Sequence, residues 1–305
     1  MDSLSRLTQQ LPPFVLELSR SQKARSLVTV VGILALLHPL NRWLSWRRTN
    51  NNLTRGSWNP SRELVVVTGG SSGIGAKIVE MLELRGIKVI ILDLNPPFGN
   101  IGLWHCSRTA FYQVDLSNAD AITSVVDRIR SDHGHPTALV NNAGFAHGET
   151  ILSVTPEKLQ RLFNVNLVAP FLLTQQFLPD MISHNHGHIV NIASLASFMT
   201  QAANVDYGAS KVGVLAFHEG LKQELNHIYK APAVRATVIH PSWVKTPMAE
   251  KLLQTGKLGR YGAQVVVPNT LAWTSIVRGL PVWIQETLRD SVTRSLLQAL
   301  QETCS

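Results

Sequence analysis

The amino-acid sequence predicts an α/β fold, a doubly wound parallel sheet in a single domain preceded by an N-terminal apolar anchor. Three observations predict this class. Short apolar runs rich in β-branched residues alternate with helical patterns after about residue 61. The first run leads into a glycine-rich turn, and a later run leads into Asn141-Asn142-Ala143-Gly144. Such alternation is typical of a parallel sheet with helices on both faces.

Each predicted strand is short and mostly apolar, as expected when both faces of a parallel sheet are buried. The predicted strands cover residues 64–68, 88–93, 111–114, 138–141, 188–192, 234–240 and 265–267. The predicted helices run from residue 73 to about 85, from 156 to about 181 and from 207 to about 227. The first of these helices has an apolar face made of Ile74, Ile78, Met81 and Leu82.

Charge and cysteine content argue against a nucleic-acid-binding protein and against a metal-binding protein. The chain of 305 residues has a net charge of +8, but residues 1–60 hold eight basic and two acidic residues and so carry most of it. Because this excess flanks an apolar stretch and no recognition motif is present, we expect no nucleic-acid partner. The two cysteines, Cys106 and Cys304, lack metal-ligand spacing. We therefore expect free thiols and no metal site.

An uncharged apolar run covers residues 27–37, with basic residues on both sides and Trp43 and Trp46 after it. Flanking cations and interfacial tryptophans favour membrane contact, although a spanning helix needs about 20 apolar residues. The run therefore predicts a membrane anchor that spans or lies in the bilayer; a cleaved signal peptide and a helix packed on the body are the alternatives. We assign residues 1–48 to this anchor, 49–60 to a linker and 61–305 to the catalytic domain.

The glycine-rich turn predicts a dinucleotide site. It follows the first strand and opens a helix, where unpaired N–H groups and the helix dipole attract phosphate. Glycines allow the tight turn and the close approach of the backbone to a pyrophosphate. The turn comprises Thr68, Gly69, Gly70, Ser71, Ser72, Gly73, Ile74 and Gly75.

Two acidic residues bear on the choice of cofactor. Asp93 ends the second strand, where an acid hydrogen-bonds the ribose hydroxyls of NAD and repels the 2′-phosphate of NADP. Ser72 is neutral, so no cation at that position favours the phosphate. Both features predict NAD, with NADP as the alternative. Asp115 follows the third strand and either reaches the adenine amine or caps a helix.

Tyr207, Lys211 and Ser194 form the predicted catalytic group. Tyr207 and Lys211 lie four residues apart, on one face of a helix. A phenol with a pKa near 10 is a poor base at neutral pH, and a neighbouring ammonium lowers that pKa. The tyrosine can then exchange a proton with a substrate oxygen while hydride moves to or from a nicotinamide. Ser194 ends a strand and can orient the same oxygen. We predict an oxidoreductase acting on an alcohol or ketone.

This set of motifs resembles the short-chain dehydrogenase/reductase family over roughly residues 61–248, which implies a Rossmann-type domain. The resemblance implies that Asn166 is a fourth catalytic residue, holding a water that links Lys211 to solvent. It implies further that Asn142 stabilises the sheet near the cofactor ribose and that Asp115 and Ile74 contact adenine and pyrophosphate. By the same resemblance, the remaining cofactor contacts are Tyr207, Lys211, Val244 and Thr246. Ser242 stands where the family usually has glycine.

The apolar anchor and the run from Ile91 to Asn95 are similar to the membrane-bound retinol and hydroxysteroid dehydrogenase branch of the family. That similarity implies a lipophilic substrate of steroid, retinoid, fatty-acyl, terpenoid or polyketide type, and a role in lipid metabolism. It also implies association with a membrane, at the endoplasmic reticulum or a lipid droplet. Homodimers and tetramers are common in the family, so either is an expected assembly.

The segment after Thr246 is short for the family, because only residues 247–264 precede the predicted seventh strand. We expect a shortened helix and an open or incomplete substrate pocket. The alternative function is therefore a catalytically impaired dinucleotide-binding protein. The tail, residues 273–300, mixes apolar residues with arginines and predicts a segment that lies on a membrane, covers the active site or pairs with a second subunit.

Overall fold

The computed structural model describes residues 59–97 and 108–242, together with scattered helical positions between residues 22 and 43. The chain divides into two compact units, Met1–Gly56 and Ser57–Ser305. All the strands and long helices described below belong to the second unit.

A parallel sheet of six strands forms the centre of the second unit. The strands are β1 (Leu64–Thr68), β2 (Lys88–Asp93), β3 (Thr109–Gln113), β4 (Ala138–Asn141), β5 (Gly187–Ile192) and β6 (Val234–Ile239). Their order across the sheet is β3-β2-β1-β4-β5-β6, and every pair is parallel. The order reverses between β1 and β4, and ligands of such sheets bind beyond the carboxyl ends of the strands at this point. The predicted Rossmann-type fold is confirmed.

The helices follow local signals in the sequence. They are α1 (Gly73–Glu83), α2 (Ala119–His133), α3 (Pro156–Phe163), α4 (Ala169–Ser183) and α5 (Val205–His227). The Asn118 side chain accepts from the N–H groups of Asp120 and Ala121 and so caps α2. Thr155 caps α3 in the same way, with Pro156 in the first turn.

The core lies on both faces of the sheet. On one face, Leu139 and Ile189 pack with Leu173 of α4 and Leu225 of α5, and all four are at most 1% exposed. On the other face, Val67 and Ile91 pack with Val79 of α1, and none of the three is exposed. Because both faces are covered, β1 is buried along its whole length. The sequences of such strands are therefore continuous apolar runs rather than alternating apolar and polar residues.

Two predicted helices differ from the structure in detail. The helix predicted over 156–181 is interrupted by a π-helical segment, Asn164–Val168, between α3 and α4. The predicted apolar face of α1 is partly wrong, because Met81 is 45% exposed and Val79 is the fully buried residue. The core-facing side of α1 is centred on Gly75 and Val79, where the helix meets the sheet.

Several predictions fall on residues outside those described, namely the linker over most of its length, the seventh strand at 265–267, the short segment after Thr246 and the tail at 273–300. Most of the anchor lies there too, so it stays a prediction. Within the described part of the chain, no helix combines the length and the apolar character that crossing a bilayer requires.

Candidate active site

The predicted site residues that the structure describes all lie beyond, or at, the carboxyl ends of the strands or on the helices that follow. Thr68, Gly69, Ser71 and Ser72 lead from β1 into α1, which begins with Gly73, Ile74 and Gly75. Asp93 ends β2, Asp115 follows β3, Asn142 follows β4 and Ser194 follows β5. Asn166 lies in the π segment, and Tyr207 and Lys211 lie on α5. A parallel sheet brings these distant segments to one edge.

The glycine turn is packed too closely for side chains. Gly69 has a φ of +63°, which favours glycine. A Cβ on Gly75 would lie 2.1 Å from the carbonyl oxygen of Gly69 and 2.5 Å from Nδ2 of Asn142. The first turn of α1 can therefore approach the end of β1 only because residue 75 has no side chain.

Thr68 and Asn142 fasten this turn to the neighbouring strand. The Thr68 hydroxyl accepts from the N–H groups of Asn142 and Ala143, both at 2.9 Å. The Asn142 amide donates to the carbonyl oxygens of Thr68 (2.9 Å) and Gly69 (3.1 Å). These contacts agree with the sheet-stabilising role that the family resemblance implies for Asn142. The Thr68 hydroxyl therefore stabilises the turn from the side of β4.

The start of α1 is suited to an anionic group. Ser72 precedes the helix, but its side chain makes no capping hydrogen bond, and the first turn holds no acidic residue. The Ser71 hydroxyl is buried and has no hydrogen-bond partner in the described part of the chain. Buried polar groups are normally paired. An unpaired hydroxyl beside an uncapped helix start therefore fits the phosphates of a dinucleotide.

The two predicted cofactor carboxylates differ in their environment. Asp93 accepts from the backbone N–H of Ser71 at 3.0 Å, so it joins the end of β2 to the glycine turn. Asp115 accepts from the N–H and the hydroxyl of Ser117, which lower its pKa. Asp115 does not cap α2, because Asn118 does. Its contact with adenine stays a prediction.

Ser194, Tyr207 and Lys211 meet at the end of β5. The Ser194 hydroxyl lies close enough to the Tyr207 phenol to lower its pKa. The Lys211 ammonium lies 5.6 Å from the centre of the Tyr207 ring. It donates at 2.9 Å to the carbonyl oxygen of Ile192, the last residue of β5. The three residues therefore share one location, as the sequence predicts.

The pKa values differ from the expectation for this group. Burial raises the pKa of Tyr207 above its ordinary value, and the hydrogen bond from Ser194 only partly opposes this shift. Burial lowers the pKa of Lys211 to about 8. The predicted lowering of the phenol pKa by the ammonium is therefore not observed, because burial outweighs it. The buried phenol holds its proton, which is the form that donates to a carbonyl oxygen.

Asn166 is 1% exposed and occupies the middle of the π segment. Its amide pairs with both backbone groups of Phe145, accepting from the N–H at 3.0 Å and donating to the carbonyl at 2.9 Å. A Cβ on Gly144 would lie 3.2 Å from Asn166 Oδ1 and 3.3 Å from Lys211 Nζ. Gly144 thus lets the asparagine and the lysine approach the same point. The water relay that the resemblance implies stays a prediction.

The segment after β6 is described only as far as Ser242, so Val244 and Thr246 lie outside the described residues. Ser242 is not among the non-glycine residues with positive φ, which within the described ranges are Asn185, Ala203 and Lys230. The serine therefore meets no left-handed strain. The described ranges also contain no group of three or more His, Cys, Asp or Glu side chains placed to hold a metal ion.

Four residues near the catalytic group were not predicted from the sequence. His240 Nδ1 lies 3.1 Å from the carbonyl oxygen of Ser194, to which it can donate. Ser210 donates to the carbonyl oxygen of Tyr207 at 2.7 Å, and Asp206 accepts from the N–H of Tyr207 at 2.7 Å. His147 contacts Asp206. Asp206 and Ser210 could have been found in the sequence from their positions directly before Tyr207 and Lys211. No sequence pattern marks His147, whose contact with Asp206 is formed only in the folded chain.

Comparison with known proteins agrees with this geometry. A family model described as short chain dehydrogenase matches residues 63–257, which is more than half of the chain. The chain belongs to the short-chain dehydrogenase family. It is therefore a nicotinamide-dependent oxidoreductase acting on alcohol groups.

Two curated proteins are similar to this chain over about two thirds of its length. Dehydrogenase RED2 of Cochliobolus heterostrophus is 40% identical over 217 residues, covering 69% of this chain and 80% of the relative. Epidermal retinol dehydrogenase 2 of Homo sapiens is 30% identical over 198 residues, covering 63% of each chain.

Two solved structures of such dehydrogenases share the fold and differ in cofactor. A 4-hydroxyisoleucine dehydrogenase complexed with NADH aligns with a TM-score of 0.59 at 26% identity, over 63% of this chain and 78% of the other. A metagenomic short-chain oxidoreductase in complex with NADP aligns with a TM-score of 0.54 at 32% identity, over 61% of this chain and 84% of the other. These structures support a nicotinamide cofactor without selecting between the two.

Proposed function

We propose that this dehydrogenase transfers a hydride between NAD(H) and a lipophilic alcohol or ketone of steroid, retinoid, fatty-acyl, terpenoid or polyketide type. The observation that carries the proposal is the grouping of Ser194, Tyr207 and Lys211 at the end of β5, at the same edge of the sheet as the glycine turn, with the Lys211 ammonium 5.6 Å from the centre of the Tyr207 ring. Likeness to a protein named as a retinol dehydrogenase supports the lipophilic class.

Each residue of the group has a separate task in this proposal. Tyr207 exchanges its phenolic proton with the substrate oxygen, and Ser194 holds that oxygen by a hydrogen bond. Lys211, whose pKa is about 8, exchanges a proton near neutral pH and can resupply Tyr207. A bound nicotinamide supplies or accepts the hydride. Asp93, Ser71 and the start of α1 hold the adenosine and phosphate portions of the dinucleotide.

A panel of lipophilic alcohols and ketones, assayed with NAD(H) and with NADP(H), tests this function. We expect turnover of at least one lipophilic compound, followed by absorbance of the reduced nicotinamide, and a higher kcat/KM with NAD(H). Short hydrophilic alcohols of the same oxidation level serve as controls. Cofactor binding without turnover of any compound would instead favour the catalytically impaired alternative.

The preference for NAD depends on the charge of Asp93. Asp93→Asn keeps an oxygen that can accept from Ser71 N–H, so the turn is retained and only the charge is lost. We expect the ratio of kcat/KM for NADP to that for NAD to rise about tenfold, because loss of one close like-charge repulsion is worth about 1 kcal/mol or more. Asp115→Asn is the matched change at the other carboxylate. An unchanged ratio in Asp93→Asn would show that Asp93 does not select the cofactor.

We further propose that residues 1–48 associate this dehydrogenase with a membrane, at the endoplasmic reticulum or a lipid droplet. The support is the uncharged run at 27–37 between basic residues and tryptophans. We expect the full chain to sediment with membranes. We expect the chain without residues 1–48 to stay in the supernatant. Equal sedimentation of both forms would show that residues 1–48 do not attach the protein to the membrane.

A further inference from the structure

Tyr207 is held at both of its backbone groups by a closed ring of contacts. On one side, the Ser210 hydroxyl donates to the Tyr207 carbonyl oxygen, and Asn166 Nδ2 donates to Ser210 at 3.1 Å. On the other side, the Asp206 carboxylate accepts from the Tyr207 N–H. The two sides meet in the loop after β4. We call this the tyrosine ring; its members are Tyr207, Asp206, His147, Phe145, Asn166 and Ser210.

His147 closes the tyrosine ring. Its Nδ1 lies 3.1 Å from the second carboxylate oxygen of Asp206, and because a carboxylate only accepts, Nδ1 carries the proton. The two side chains are well buried, at 14% and 6% exposed. The ring of His147 also packs edge-on against Phe145, with centroids 5.2 Å apart. Phe145 in turn is paired with Asn166 through both backbone groups.

The start of α5 depends on this contact, because its own cap is weak. Asn204 precedes the helix, but its side chain makes no capping hydrogen bond. The first N–H groups of a helix have no partner within it. Asp206 accepts from one of them, that of Tyr207, and His147 is the side chain that fixes the orientation of Asp206.

We propose that His147 is a positioning residue for the reaction: it fixes Asp206 and thereby holds the catalytic tyrosine against the loop that carries Gly144 and Phe145. The inference rests on the proposed role of Tyr207. His147 acts through Asp206 and the helix start, so its loss displaces the phenol while leaving the glycine turn intact. Turnover should fall, and cofactor binding should not.

Three variants of the full-length chain separate this role from a general effect on folding. His147→Ala opens the tyrosine ring. His147→Asn restores a side-chain N–H close to the position of Nδ1. Lys158→Ala is the matched control, because the half-exposed Lys158 side chain pairs with Glu149 of the loop that carries His147, and the described hydrogen bonds and ion pairs of Lys158 join it to no member of the tyrosine ring. The readouts are kcat on the best compound of the panel, NADH affinity by fluorescence, and amide hydrogen exchange of residues 204–211.

In His147→Ala we expect kcat to fall about tenfold, since small displacements of a reacting group are costly. Exchange at 204–211 should rise, with NADH affinity within about twofold of the parent protein. His147→Asn should recover most of both losses, and Lys158→Ala should change neither. Unchanged kcat and exchange in His147→Ala, equal losses in Ala and Asn, or an equal loss in Lys158→Ala would each overturn the inference. If no compound of the panel reacts, the proposed function fails, and exchange alone decides the role of His147.

Discussion

Tyr207→Phe is expected to lower kcat about a thousandfold while leaving NADH affinity nearly unchanged. The substitution removes only the hydroxyl, which is the group that exchanges a proton with the substrate, and a positioned acid or base contributes about 10²- to 10⁴-fold. The ring that packs against the Lys211 ammonium is kept. The measurements are steady-state kinetics on the best compound of the panel and fluorescence titration with NADH.

Tyr229→Phe is the matched control for this prediction. Tyr229 lies just after α5, is 40% exposed and bonds through its hydroxyl to Glu224. The same loss of a hydroxyl at the other end of the helix should leave kcat unchanged. If Tyr207→Phe retained turnover, the Tyr207 hydroxyl would not be the group that exchanges a proton with the substrate, whatever the control shows.

Gly75→Ala should have the second large effect, on the cofactor and on stability together. The new Cβ would overlap the carbonyl oxygen of Gly69 at 2.1 Å and crowd the Asn142 amide. One contact is backbone and the other fastens β4 to the turn, so neither can move freely. We expect NADH affinity to fall more than tenfold and the free energy of unfolding to fall by about 1–3 kcal/mol, the usual cost of overpacking. Fluorescence titration and urea denaturation measure the two effects.

Gly220→Ala makes the same chemical change where there is room. Gly220 lies on the exposed side of α5, and apart from its chain neighbours and the backbone of its own helix no described atom lies within 4 Å of the position of its Cβ. In a helix interior alanine is favoured over glycine by about 1 kcal/mol, so this variant should be slightly more stable and bind NADH normally. Normal affinity in Gly75→Ala would show that the close packing of the turn is not what the cofactor requires.

The fold was predictable because the strands are buried on both faces. β1 is a continuous apolar run, which is the pattern that two covered faces require. The glycine turn was predictable because tight backbone packing demands residues without side chains, as at Gly75. Met81 shows the limit of this reasoning: helical periodicity placed it on the core face of α1, but the direction from which the sheet packs on the helix left it 45% exposed.

The grouping of Ser194, Tyr207 and Lys211 was predictable from the sequence, but the surroundings of these side chains were not. The spacing of Tyr207 and Lys211 indicates a shared helix face, and both lie on α5. Asn166 was assigned by resemblance alone. Its position in a π segment and its pairing with Phe145, 21 residues earlier in the chain, were not predicted. The contact between His147 and Asp206 joins residues 59 positions apart, and no local pattern marks it.

The sequence by itself determined the described strands of the sheet, the glycine turn and the predicted group of Tyr207, Ser194 and Lys211, because these follow from local spacing and from burial on two faces. The tertiary structure decided the ionisation of that group. From spacing alone, the ammonium of Lys211 should lower the pKa of Tyr207. In the folded protein, burial raises the pKa of Tyr207, and the ammonium donates to Ile192. Desolvation depends on every segment packed around a side chain, so no four-residue spacing can predict it.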